Sequence, residues 1–508
     1  MKLSERTIKK IKSQPGLIIP EKELFALPEK VLQFGTGVLL RGLSDYFIDK
    51  ANRHGFFNGR IVVVKSTSQG SADEFDKQDG LYTLCVRGIE NDAMKEEEII
   101  NSSISRVLAA SEDWDKILKC AYDPEMKIII SNTTEVGIML TEDDIRLSPP
   151  ASFPGKLLAF LYERYKAFYG REDSGMVIIP TELIADNGDK LRSIVIELAG
   201  MNKLDAAFFQ WLQSANHFCN SLVDRIVPGK LSPADKKTTE EKLGYTDELM
   251  IMAETFRLWA IESASQRVKE LLSFSIADDG VVIAPDIEKF RELKLRLLNG
   301  THTFSCGLAH LAGFTTVKEA MQNEAFSSYM HRLMMLEIAT VLDNEGKITY
   351  NEACAFAGDV MDRFRNPFLD HLWLSISTNY TSKMKLRNIP LLLKHYSHFN
   401  QVPENMALGF AAYLLFMKCN TGKNGGYYGN ANGKFYPVQD DMAKFFEEKN
   451  RDDINNFVDC ILANKNLWGA DISKLNNFAD AVKENMQLIE KKGVLETLAV
   501  KQVKKTVA

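Results

Sequence analysis

Val31-Leu-Gln-Phe34-Gly35-Thr36-Gly37-Val38-Leu39-Leu40-Arg41-Gly42 is the stretch that decides the fold. A short strand-like run ends at Phe34, two glycines follow one residue apart, and from Leu39 to Ala51 the apolar positions recur at helical spacing. In a dinucleotide turn the first glycine permits a tight strand-to-helix reversal and the second lets the backbone approach a pyrophosphate. The helix N-terminus adds amides and a positive dipole. Gly35 and Gly37 suit the first two roles. Leu40 occupies the usual position of a third glycine, and Gly42 comes two residues later. Ile61-Val-Val-Val64 is then a continuous β-branched run of the kind buried in a parallel sheet, which completes one βαβ unit.

Arg41 is placed either to contact phosphate or to make a structural ion pair. After the second strand, where an acid would hold the ribose of NAD, the chain reads Lys65-Ser66-Thr67. That leaves NAD and NADP both open, and Lys65 suits a 2′-phosphate.

Working outward, strand-like runs recur at Ile128-Ile-Ile130 and Met176-Val-Ile-Ile179, with helical stretches at Trp114 to Cys120 and Leu157 to Phe168. This alternation predicts an α/β fold, a Rossmann-like doubly wound parallel sheet. Leu231 to Tyr245, dense in Lys and Glu, reads as an exposed excursion. Val281-Val-Ile-Ala-Pro285 is the last strand-like piece. Beyond it, stretches such as Ser328 to Leu342 and Asn405 to Lys418 are helical in period. The expected division is therefore a cofactor-binding domain over 1–285 and an α-helical substrate and catalytic domain over 286–508.

Bulk properties agree with such a chain. Its 508 residues exceed one ordinary core. With 45% hydrophobic and 26% charged residues it reads as soluble and globular, and a net charge of −6 gives no basic field for nucleic acid. Seven cysteines without a CxxC pair suit a reduced, cytoplasmic setting. The longest apolar run, Met406 to Met417, is too short to cross a membrane. Oligomeric state is not legible.

Far downstream stands Lys294-Leu-Arg-Leu-Leu-Asn299-Gly300-Thr-His302. Alone, Leu295, Leu297 and Leu298 read as the buried side of a helix beside a snorkelling lysine. Paired with the glycine turn, the stretch reads as the reaction centre of a dehydrogenase. Oxidation of a secondary alcohol needs a base for the hydroxyl proton, and the reverse reaction needs the same group as an acid. An amide and an imidazole nearby can hold the reacting oxygen. On an ideal helix Lys294 and His302 stand roughly 12 Å apart in rise, so their convergence predicts that the helix ends or bends at Asn299-Gly300.

Phe34-Gly-Thr-Gly37 with Arg41, Thr134-Glu135, Val223-Asp-Arg-Ile226 and Lys294 through His302 together resemble the mannitol dehydrogenase family of polyol-specific long-chain dehydrogenases. The resemblance implies NAD as cofactor, held around Phe34, Gly35, Thr36, Gly37, Val38, Leu39, Arg41, Thr134 and Glu135. It implies Lys294 as general acid and base, with Asn299 and His302 on the reacting oxygen. Ser131-Asn-Thr-Thr-Glu-Val-Gly137, Ile179-Pro-Thr-Glu-Leu-Ile184, Arg363-Phe-Arg-Asn-Pro367 and Tyr436-Pro-Val-Gln-Asp-Asp441 are similar to the branch acting on sugar acids. They imply interconversion of D-tagaturonate and D-altronate in hexuronate catabolism.

Two departures from the mannitol-type pattern bear on substrate. Glu182 stands where an oxyanion-binding asparagine is expected, so it must be protonated, relay a proton or lie elsewhere. Ser375 replaces an arginine eight residues before Lys383. A uronate carboxylate needs a cation; Lys383 is the first candidate, with Arg363 or Arg365 behind it. Fructuronate reduction and mannitol-type oxidation are the alternatives within the class. A nucleotide-binding protein without turnover is the alternative outside it. His395 and His398 have metal-like spacing without an evident third ligand, and no metal is expected. Thr421 to Gly433 reads as a flexible surface loop.

Overall fold

The computed structural model describes residues 1–66, 73–133, 137–343 and 346–506. The chain divides into two compact units, one formed by Met1–Gly88 and Met94–Ile287, the other by Ile89–Ala93 and Glu288–Ala508.

The first unit is built on six parallel strands: β1 (Glu29–Phe34), β2 (Arg60–Lys65), β3 (Ile104–Ala109), β4 (Ile128–Ser131), β5 (Val177–Pro180) and β6 (His217–Phe218). Their order is β3-β2-β1-β4-β5-β6, the doubly wound arrangement expected from the βαβ pattern. Side chains alternate across a strand, and here both faces are apolar. Val31, Ile61, Val63, Ile128 and Ile130 join Phe47 and Trp259 in one core. Leu32, Val62, Val64, Ile129 and Ile178 join Leu157, Phe160 and Leu191 in the other. Burial on both sides explains why the strands read as continuous β-branched runs rather than as alternating ones.

After β1 come α1 (Val38–Gly42) and α2 (Ser44–Arg53), separated by Leu43 at φ −128°, ψ −81°. On the opposite face lie α3 (Phe153–Ala167) and α4 (Asn187–Met201). A three-stranded sheet joins Ser221–Asp224, Leu258–Glu262 and Val281–Ala284, so the last strand-like run belongs to a separate sheet.

The stretch expected as an exposed excursion is a helix, Pro233–Leu243. Ser232 accepts a hydrogen bond from the Asp235 amide at its start, and Gly244 closes it in the left-handed region. Its charges face water, while Thr239, Leu243 and Tyr245 are buried.

The second unit is mainly helical. A continuous helix, α5, comprises Glu288–Leu293, a π-helical stretch Lys294–Gly300 and Thr301–Leu311. It is followed by α6 (Tyr350–Arg365) and by α7, made of Tyr380–Lys383, a π-helical Met384–Asn388 and Ile389–His398. Then comes α8 (Glu404–Met417), apolar nearly all round and buried along its length, as befits a core helix. The stretch expected as a loop forms a three-stranded antiparallel sheet, Asn420–Thr421, Tyr427–Ala431 and Lys434–Pro437. Ladder bonds and the packing of Tyr436 on Phe416 order it.

Candidate active site

The glycine turn lies at the carboxyl end of β1, beside β4, where the strand order reverses. Gly35 has φ +130°, and a Cβ there would stand 2.9 Å from the carbonyl oxygen of Asn132. Only glycine meets both conditions. Gly37 caps α1, is exposed and has open space where a Cβ would project. The turn therefore offers backbone to an approaching ligand at Gly37 and a strained reversal at Gly35. Thr36, Val38 and Leu39 are half-buried around it.

Three sequence expectations change here. Phe34 is fully buried against Phe153, so only its backbone is near the turn. Arg41 points inward: its Nη1 donates to the Leu249 carbonyl at 2.7 Å, and its guanidinium lies over the Tyr82 ring. Arg41 is thus a core tie rather than a phosphate ligand, the Tyr82 hydroxyl donating in turn to its carbonyl. The close-packing role usual for a third glycine falls to Gly42, where a Cβ would meet Val227 at 2.8 Å. Thr134 and Glu135 lie outside the described residues, as does Thr67.

Glu182 is buried two residues beyond β5. Its carboxylate accepts from the Thr133 amide at 2.8 Å, the Thr133 hydroxyl at 3.0 Å and the Ser131 hydroxyl at 3.2 Å. A carboxylate so supplied with donors anchors the end of β4. Asn187, unremarked in the sequence, ties the same rim together. Its amide donates to the carbonyls of Pro180, Glu182 and Ser221 and its oxygen accepts from the Ser221 amide. The Asn-Gly pair opening α4 was the available signal.

In the second unit the helix does not end or bend at Asn299-Gly300, since Gly300 is helical at φ −65°, ψ −44°. It widens instead. In a π-helix hydrogen bonds run from i to i+5, so residues five apart lie nearly above one another. Lys294 and Asn299 are five apart within that stretch, and His302 follows one α-turn later. The expected break is absent; the π-turn instead brings the three toward one side of a continuous helix.

Lys294 and Asn299 are half-buried. His302 is 6% exposed, its ring 4.3 Å from that of Phe364 and 5.3 Å from that of His371. Its Nε2 has no hydrogen-bond partner among the described residues. Burial first, then the charges of His371, Arg363, Arg387 and Lys383, hold His302 well below the ordinary imidazole range. The ring is neutral at physiological pH and can donate or accept one hydrogen bond.

Lys383 is half-buried and donates to the Ile376 carbonyl at 2.9 Å. Burial and Arg387 lower its proton affinity. Arg365 instead pairs with Asp92 at 2.5 Å and lies 3.7 Å from Asp362, which commits its charge to acids of its own surroundings. Of the two arginines on α6, Arg363 is the one whose charge is felt at His302 and His371. His395 is taken up by the Gln401 carbonyl at 2.8 Å, and His310 packs on Phe416 and Tyr436.

A doubly wound sheet with a glycine turn, and a helical unit carrying a lysine, an amide and a neutral imidazole on one helix side, define the Rossmann-type oxidoreductases. The chain belongs to the mannitol dehydrogenase family. The mannitol dehydrogenase Rossmann domain matches residues 29–272, and the mannitol dehydrogenase C-terminal domain matches residues 286–490. It is 38% identical over 478 residues to the altronate oxidoreductase of Bacillus subtilis (strain 168), covering 93% of this chain and 95% of that one. It is 35% identical over 484 residues to that of Halalkalibacterium halodurans, covering 93% of each.

In fold it is similar to D-sorbitol dehydrogenase in substrate-free form, with a TM-score of 0.77 at 21% identity, covering 98% of this chain and 100% of the other. It also resembles Pseudomonas fluorescens mannitol 2-dehydrogenase in ternary complex with NAD and D-mannitol. That match has a TM-score of 0.65 at 23% identity and covers 99% of this chain and all of the other.

Proposed function

We propose that the protein interconverts D-tagaturonate and D-altronate with NAD, in the cytoplasm. The observation that carries this reading is the Lys294, Asn299 and His302 alignment on the π-widened helix, in a chain so similar along its length to altronate oxidoreductases. NAD fits the first unit: the positive φ of Gly35 and the open space at Gly37 form a cradle that side chains would fill. Bound there, NAD supplies the hydride acceptor and its reduced form the donor.

The protein's own groups handle the proton and the oxygen. Lys294 takes the hydroxyl proton during oxidation and returns it during reduction. The Asn299 amide donates to the oxygen as negative charge develops, without competing for the proton. His302, neutral and with Nε2 unpartnered, fixes a neighbouring hydroxyl. Lys383 and Arg363 face the substrate carboxylate with positive charge. Glu182 and Arg365 are left out of the substrate contacts, because each is already engaged.

Turnover of D-tagaturonate, D-fructuronate and D-fructose with NADH, each repeated with NADPH, tests the reading. Turnover of tagaturonate with NADH far above that of the other two ketoses is expected. Preference for another ketose moves the substrate, and preference for NADPH gives Lys65 the cofactor role. Silence with every pair favours a binding protein.

A further inference from the structure

Two arginines of the second unit are matched by acids. Arg296 on α5 pairs with Glu292 at 3.0 Å and also donates to two carbonyls of α7, and Arg365 pairs with Asp92. Arg387 is different. It lies in the π-helical stretch of α7, four residues beyond Lys383, so that the two stand on one side of the helix. It is half-buried, and its one side-chain hydrogen bond among the described residues is from Nη1 to the Thr303 hydroxyl at 3.3 Å. No carboxylate among the described residues pairs with it. Burial alone accounts for its lowered proton affinity, with no acid acting to raise it.

Among the described residues, Lys383 beside it likewise bonds only a carbonyl. Both charges are felt at His302, whose buried Nε2 has no partner. Removing a cation partly from water without a counter-ion is costly. The cost is offset if an anionic ligand completes the pair. A guanidinium presents the planar fork that a carboxylate matches with two parallel hydrogen bonds, which an ammonium cannot do.

We propose that Arg387 receives the carboxylate of the sugar-acid substrate, with Lys383 beside it, and so separates acidic from neutral polyols. This rests on the sugar-acid reading given above. Neither its sequence motif nor its spacing had marked Arg387 out, because in sequence it is one of several cations on an amphipathic helix.

The test compares wild type, Arg387→Lys and Arg387→Leu with NADH, on D-tagaturonate and on the neutral ketose D-fructose. Arg387→Leu should raise KM for tagaturonate by roughly ten- to a hundredfold and leave kcat/KM for fructose unchanged or higher. Arg387→Lys should fall between, and free guanidinium ion should restore part of the loss in Arg387→Leu. Equal losses on both ketoses, without guanidinium rescue, would make Arg387 a packing residue and overturn the proposal. So would an unchanged KM in Arg387→Leu. A wild type that turns over fructose but not tagaturonate would overturn the sugar-acid reading itself, whatever the variants do.

Discussion

Arg225 donates through Nη1 to the carbonyl oxygen of Gly42 at 2.6 Å, tying the end of α1 to the strand Ser221–Asp224. Its Nε and Nη2 both reach the Glu254 carbonyl, at 3.0 and 2.8 Å, and its guanidinium lies over the Tyr46 ring. Burial pushes its pKa down to about 10, still far above physiological pH. The Val-Asp-Arg-Ile motif that helps to mark the family thus serves the fold, by fixing the helix that the glycine turn opens.

Arg225→Ala removes the guanidinium donor from two buried carbonyls and should cost about 3 kcal/mol or more. Arg225→Lys keeps the charge but loses the fork and should cost about half of that. Denaturant midpoints at constant slope measure both.

Gly35 and Gly37 should separate conformation from ligand approach. Gly35→Ala faces both a disallowed φ and the Asn132 carbonyl, and about 1–3 kcal/mol of stability should be lost. Gly37→Ala has room for its methyl group and should melt like wild type. Its affinity for NADH, measured by fluorescence titration, should still fall, since the methyl group occupies the path of the pyrophosphate.

Gly42→Ala should be destabilised by about 1–3 kcal/mol, because its methyl group would press on Val227. The Gly42→Ala, Val227→Ala double variant should recover part of that loss. Additive losses in the cycle would show that the Val227 contact is not the cause.

His302 should leave a signature in stability against pH. The unfolded chain protonates this imidazole as the pH falls through about 6.5, whereas the folded chain resists until well below it. The unfolded state then holds more protons, so stability is lost on acidification below about pH 6.5, by up to about 1.4 kcal/mol per pH unit from this group. Replacement by Gln should flatten the acid limb of the stability curve by that share. His371, also lowered by burial, keeps its own share. An unchanged acid limb would mean that His302 is readily protonated in the folded protein.

The fold was legible where burial is two-sided. Ile61 through Val64 and Ile128 through Ile130 announce a parallel sheet because helices cover both faces. The helix Pro233–Leu243 was missed because its apolar residues form no stripe, although Ser232, Pro233 and Gly244 mark its ends. At the site, the residue types Lys294, Asn299 and His302 were readable. Their geometry was not, since a π-turn is a register change in backbone hydrogen bonds with no side-chain signature of its own. For Arg41 and Glu182 the sequence left the choice open for one reason: a charged residue at a motif position says nothing of which buried carbonyl or amide claims it.

The claim on which the account turns is that Lys294 exchanges the substrate proton. Lys294→Ala should bind NADH with an affinity close to that of wild type, because the cofactor cradle belongs to the other unit. Its rate of D-tagaturonate reduction in single turnover should be roughly 10²- to 10⁴-fold lower. A variant that binds NADH and still reduces tagaturonate at the wild-type rate would contradict the account.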